Sequence, residues 1–192
     1  MRQAMAAASL LLAFPAAGQT VFEGRYGFET EYRFVDLSHT FKSGPYLEAL
    51  YLGVPGQNEL YLGAGFQLRP ARGFTLTPAA YAVFGKENDE QGVAVGGLLS
   101  VDRSGWKVLA FAGHFFRTGG DVDDYTFVDA LDLTRAIGAW EIGASTGVFA
   151  TGGDASWLVG PTVKRNDRLG SWAVSARFAD DTEYRVIRIL VF

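Results

Sequence analysis

The chain has 192 residues, with 17 Lys and Arg against 21 Asp and Glu, a formal net charge of −4. That balance argues against a nucleic-acid partner, and the length suits one domain. There is no cysteine, which excludes disulfides, thiolate metal sites and cysteine nucleophiles and suits a chain that must cross an oxidising compartment unfolded.

The first residues, MRQAMAAASLLLAFPAAGQT, read as a secretory leader. Arg2 gives the positive start, Ala4 to Phe14 the short apolar run, Pro15 the break, and Ala16-Ala17-Gly18 the small residues for cleavage. The expectation is a signal peptide over 1–18 and a mature chain over 19–192. The apolar run is too short to span a bilayer, which takes roughly 20 residues. No cysteine follows it, so no acyl anchor is available. Later apolar runs are all broken by Gly, Pro or charge.

Next comes a stretch of strict alternation, Val21 to Phe34. Phe22, Tyr26, Phe28, Tyr32 and Phe34 fall on one side; Glu23, Arg25, Glu29, Glu31 and Arg33 fall on the other. Successive side chains of a strand point to opposite faces, so the pattern predicts one strand, Val21–Val35, with an oily and an ionised face. In a membrane barrel the oily face meets lipid and the charged face lines a wet lumen.

Strand-like segments then recur at nearly constant pitch: 46–54, 60–69, 74–85, 92–102, 106–117, 125–133, 140–149, 157–164, 171–178 and 184–192. Many open on an aromatic (Tyr46, Phe74, Trp106, Tyr125, Trp140, Trp157, Tyr184), as residues of a membrane-interface girdle would. Apolar faces such as Leu60-Leu62-Ala64-Phe66, Val93-Val95-Leu99-Val101 and Trp172-Val174-Ala176-Phe178 are expected to face outward. The opposite faces carry polar and small residues, among them Gly63, Gly65, Gly92, Gly96, Gly143 and Gly147. Two segments resist the pattern: 106–117 is apolar on both faces, and Asp129 falls among the aromatics of 125–133.

The connections alternate in charge. One set carries Arg69, Arg72, Arg103, Arg135, Lys164, Arg165 and Arg168. The other carries Glu59, Glu87, Asp89, Glu90, Asp121, Asp123, Asp124, Asp154, Asp180, Asp181 and Glu183. Alternate turns of an up-and-down meander lie at the same rim, so charge segregates between two rims. A soluble sandwich has no reason to do this. The fold class read from these patterns is all-β, a transmembrane up-and-down antiparallel β-barrel of about 10–12 short strands. An even count requires either a further strand over Leu37–Lys42, giving twelve, or removal of the first segment, giving ten. Twelve is preferred.

The last nine residues, YRVIRILVF, resemble the terminal strand of Gram-negative outer-membrane β-barrels, with Tyr184, Val186, Leu190 and Phe192 fitting and Arg188 departing. The resemblance implies that the barrel-assembly machinery reads this strand, that outer-membrane lipid and lipopolysaccharide surround the barrel, and that both termini face the periplasm. The acidic loops then face outside. The implied address is the bacterial outer membrane.

The lumen candidates are Glu23, Arg25, Glu29, Glu31, Arg33, Glu141, Arg177 and Arg185. In a closed barrel the first strand meets the last, which brings Arg185, and Arg177 one strand away, beside the first-strand carboxylates. Such a set can act as a charged constriction that selects solutes or as a salt-bridge network that fills a narrow interior, the latter being favoured. Asp121, Asp123 and Asp124 are weak calcium candidates, with solvated loop tips the better reading. No cofactor is expected. His39 beside Ser38, and His114, are the only imidazoles, and no G-x-S-x-G nucleophile motif accompanies them.

Three functional expectations follow. The first is a small porin-like passive channel for ions or small solutes, with Gly-rich inner faces leaving room for water. The second is a structural or interaction barrel with a plugged lumen, acting in an envelope assembly. The third, more distant, is an outer-membrane lipid-modifying hydrolase using His39 or His114.

Overall fold

The computed structural model describes residues 18–85, 91–120, 123–179 and 182–192. The expected leader, bar Gly18, lies outside the described residues, as do the acidic-loop residues Glu87, Asp89, Glu90, Asp121, Asp180 and Asp181.

Thirteen strand segments follow one another: β1 (Gly18–Gly27), β2 (Arg33–Phe41), β3 (Pro45–Val54), β4 (Gln57–Phe66), β5 (Leu68–Ala71), β6 (Phe74–Gly85), β7 (Gln91–Arg103), β8 (Trp106–Gly119), β9 (Tyr125–Ile137), β10 (Trp140–Thr151), β11 (Asp154–Asp167), β12 (Gly170–Phe178) and β13 (Thr182–Val191). They make twelve staves, because β4 and β5 are two parts of one. At the break, Gln67 N–H still donates toward β3, to the Gly44 carbonyl at 2.7 Å, and Pro70 within β5 has no N–H to offer.

All pairings are antiparallel. Neighbours in sequence pair with each other, β4 pairs onward with β6, and β1 pairs with β13, which closes the sheet. The seam is tight: Thr20 N–H donates to the Phe192 carbonyl at 3.1 Å and Phe192 N–H to the Thr20 carbonyl at 2.9 Å. This is the expected up-and-down barrel, with the preferred count of twelve. A closed sheet leaves no unpaired strand edge, which lipid would not tolerate.

The first predicted strand is corrected. Val21–Val35 is a hairpin, in which Gly27 N–H donates to the Tyr32 carbonyl at 2.8 Å and Glu31 takes a left-handed conformation, φ +49°. The reversal resets the alternation. Phe22 and Tyr26 lie on the outer face, while Tyr32 and Phe34 are buried inside.

The outer surface is an apolar belt. Leu62, Phe66, Val93, Val95, Leu131, Leu133, Ile142, Val163, Trp172 and Val174 are all exposed on it, as the sequence pattern expects for a lipid-facing surface. Reversals 28–32, 55–56 and 152–153 share one rim with the strand ends at Gly85, Gln91, Gly119 and Tyr125. We term it the loop rim. Both ends of the described chain and the basic turns lie at the other, the terminal rim.

At the terminal rim three tryptophans each carry an arginine from the next strand: Arg135 over Trp106 at 5.2 Å, Arg165 over Trp140 at 5.4 Å and Arg188 over Trp172 at 4.9 Å. Each pair sits directly cross-strand, so the aromatic girdle and the basic rim are one device. Arg188, the departure from the terminal-strand pattern, is accounted for here. It also pairs with Asp167 at 2.6 Å.

At the loop rim the Thr151-Gly-Gly-Asp154 repeat makes a two-residue turn. Gly152 and Gly153 have φ of +59° and +97°, which suits a primed hairpin turn.

Candidate functional site

The lumen of the loop-rim half is lined by rings. Phe115 stacks on Tyr125 with centroids 4.7 Å apart, Tyr125 meets Phe149 at 5.0 Å, and Phe111 meets Phe127 at 5.6 Å. This explains why 106–117 looks apolar on both faces: its outer side chains meet lipid and its inner ones build this wall. Tyr32, Phe34, Leu50, Leu52 and Val54 form the facing wall. Between them lies a cavity of about 340 Å³ that reaches the loop rim at Thr30, Val54, Gln57 and Ser156.

A carboxylate closes one side of this cavity. Glu59 is 1% exposed. It accepts hydrogen bonds from Tyr61 Oη at 2.6 Å, from Tyr125 Oη at 3.1 Å and from the Gln57 amide.

The cavity floor is ionic and spans the barrel. Asp129, on β9, faces Arg25 on β1 nearly across the lumen, and the two form an ion pair. Arg185 Nη1 lies 3.3 Å from Asp129 Oδ1, and Tyr32 Oη donates to Oδ1 at 3.0 Å. Arg25 Nε pairs with Glu23 at 2.5 Å. Arg177 donates to Glu183 through Nε at 2.9 Å and Nη2 at 2.6 Å. Arg185 Nε is 2.8 Å from Glu183 Oε1, an ion pair without a hydrogen-bonding angle. Ring faces complete the desolvation: Arg25 lies 4.1 Å from the Phe34 centroid and Arg185 3.9 Å from that of Tyr32. Three arginines meet three carboxylates, so the charges of these pairs balance.

A β-bulge delivers Asp129. On β9 the ladder skips from Ala130 to Val128 against β8 and from Leu131 to Val128 against β10. One extra residue shifts the alternation, so Tyr125, Phe127 and Asp129 point inward and so do Ala130 and Thr134. The bulge also takes the Asp129 carbonyl out of the ladder, and Arg177 Nη1 donates to it at 3.0 Å.

Nearer the terminal rim, Glu141 gathers Lys107 Nζ at 2.7 Å, Lys164 Nζ at 3.6 Å and Asn166 Nδ2 at 2.8 Å. On the β2–β3 wall Glu48 accepts from Tyr81, and Asp36 accepts from Ser38 at 3.4 Å.

Of the expected lumen residues, Glu23, Arg25, Arg177 and Arg185 converge on the floor, and Glu141 faces the lumen below it. Glu29, Glu31 and Arg33 do not line the lumen. Glu29 and Glu31 sit in the 28–32 reversal, and the Glu31–Arg33 pair is 3.8 Å apart with both side chains about 60% exposed, 62% and 61%. Sequence reasoning missed Asp129, hidden by the bulge, and placed Glu183 in a loop although it is buried in the lumen.

The inner glycines are not vacancies for water. A methyl group on Gly63 would strike the Tyr81 ring, one on Gly92 the Phe115 ring, and one on Gly147 would come within 2.8 Å of Arg177 Nη1. These glycines are seats for large side chains.

His39 shares a hydrogen bond with the Thr20 hydroxyl at 2.8 Å, near the terminal rim, while Ser38 turns to Asp36. His114 bonds the Thr126 hydroxyl at 2.7 Å. Asp124 accepts from Arg117 N–H at 2.7 Å, and among the described residues no three acidic or imidazole groups converge on one point. Tyr184, Val186, Leu190 and Phe192 share the outer face of β13.

No family model matches the chain, and no curated protein matches it. Solved structures do. The KdgM porin aligns with a TM-score of 0.65 at 13% identity over 91% of this chain and 99% of its own. KdgM in complex with disordered oligogalacturonate gives 0.68 at 12%, again over 91% and 99%. The NanC porin gives 0.62 at 10% over 89% and 98%. The likeness is one of fold: a closed antiparallel barrel of the same architecture. At these identities lumen chemistry is not carried across, and it is read from this chain's own residues.

Proposed function

We propose that the protein resides in the bacterial outer membrane, loop rim outward, and acts as a small passive channel for ions or small solutes. The observation that carries this reading is the 340 Å³ cavity, entered at the loop rim and ending on a charge-balanced floor. A fixed set of paired charges reaching across the lumen sorts solutes by size and polarity. The Lys107–Glu141–Lys164 node would give permeating ions a second set of charges. The outward face of β13 supports recognition by the barrel-assembly machinery, and the Trp–Arg girdle supports contact with lipid headgroups, lipopolysaccharide facing the other leaflet.

The test is swelling of proteoliposomes in neutral sugars of graded size. Swelling that falls off with solute size supports the channel. A folded, impermeable barrel favours the second reading, a plugged barrel working through its loops. That reading draws on the cross-lumen floor and the occupied glycine seats.

A further inference from the structure

We infer that the loop-rim cavity captures small cations that carry an aromatic ring, primary arylalkylamines being the solute class that fits. The inference rests on the channel reading for its access from outside, and on the following chemistry for its selectivity.

The walls are rich in aromatic rings. Phe34, Phe111, Phe127, Phe149, Tyr61 and Tyr125 all line the cavity. The face of an aromatic ring is electron-rich and attracts an ammonium group while accepting the apolar body of the ligand.

The charges that face the cavity are Glu59, Asp129, Glu183, Arg177 and Arg185. The two arginines are bound to Glu183 and Asp129, and Arg25 beneath them to Glu23 and Asp129. Glu59 alone is met only by neutral donors among the described residues. The protons of Tyr61 and Tyr125 are spent within this group, since the two hydroxyls lie 2.6 Å apart and both reach the carboxylate. Hydroxyl donors stabilise the carboxylate without neutralising it. A ligand cation at this wall therefore meets a formal negative charge that no described cation balances.

The approach agrees. Glu29, Glu31, Asp123, Asp124 and Asp154 stand at the loop rim, with Arg33 and Arg117 as its described cations. An acidic mouth concentrates cations and repels anions. An acidic oligosaccharide, the ligand in the KdgM complex, would meet repulsion here.

The experiment is calorimetric titration of the full chain in zwitterionic-lipid nanodiscs with benzylammonium, benzyl alcohol and benzoate, with empty nanodiscs as the background. The expected order is benzylammonium first, about tenfold tighter than the alcohol, and benzoate last. Glu59→Gln should remove most of the preference for the cation. Benzoate binding as tightly as the amine, or no binding of any of the three to a barrel shown folded by its heat-dependent gel shift, overturns the inference. If the amine binds while swelling is absent, the capture site stands and the channel reading falls.

Discussion

Arg177 Nη1 passes 2.8 Å from where a side chain on Gly147 would begin, and ends on the carbonyl of Asp129 at 3.0 Å. The absence of a side chain on β10 is thus what lets a guanidinium from β12 reach the bulge on β9. Gly147→Ala should cost about 1–3 kcal/mol, as overpacking of a filled interior does. Gly24→Ala, whose methyl group would meet only Phe22 at 3.8 Å, should stay within about 0.5 kcal/mol. Urea unfolding of the refolded barrels measures both.

Arg177 is 1% exposed and makes three directed bonds, two to Glu183 and one to Asp129. A lysine carries one charged nitrogen and cannot reproduce that fork. Arg177→Lys should lower stability by about 2–3 kcal/mol, lowering the temperature at which the folded band is lost on a gel. A wild-type transition would show that the fork contributes nothing.

Much of this was legible in the sequence, and the parts that were not have physical causes. The outward belt on β4, β7 and β12 reads directly, because lipid demands apolar residues at every second position. The charge of the turns gave the meander and the two rims. The 28–32 reversal was hidden because this barrel uses aromatic rings on both faces: Phe22 and Tyr26 meet lipid while Tyr32 and Phe34 meet the lumen, and the alternation runs through the turn unbroken. Asp129 was visible only as an anomaly, since a bulge changes parity without any marker residue. Gly63, Gly92 and Gly147 read as open space because the side chains they seat come from other strands.

Glu29 and Glu31 now belong to the mouth. Replacing both with Gln should reduce cation access at low salt and lose its effect at high salt, since charges on an exposed reversal are screened over about 10 Å at 0.1 M. Single-channel currents at two ionic strengths separate this from a constriction, where the effect would persist.

Arg188 is the one basic residue on the outer face of β13, and it rests on Trp172 at 4.9 Å. Arg188→Leu restores an apolar terminal pattern but removes this contact and the Asp167 pair. The cation–ring contact is worth about 0.5–1 kcal/mol at an exposed site. The variant should insert normally and unfold at lower urea. A more stable variant would show that the arginine is tolerated rather than used.

The central claim is that the Asp129-centred floor is where the lumen selects. Planar-bilayer recording of the wild type and of Asp129→Asn in a salt gradient tests it most directly. The account predicts discrete small steps in the wild type. In the variant the reversal potential should move toward anions, because Arg25 and Arg185 lose their shared counter-charge. A folded wild type that never conducts, or a reversal potential unchanged by the substitution, would contradict it.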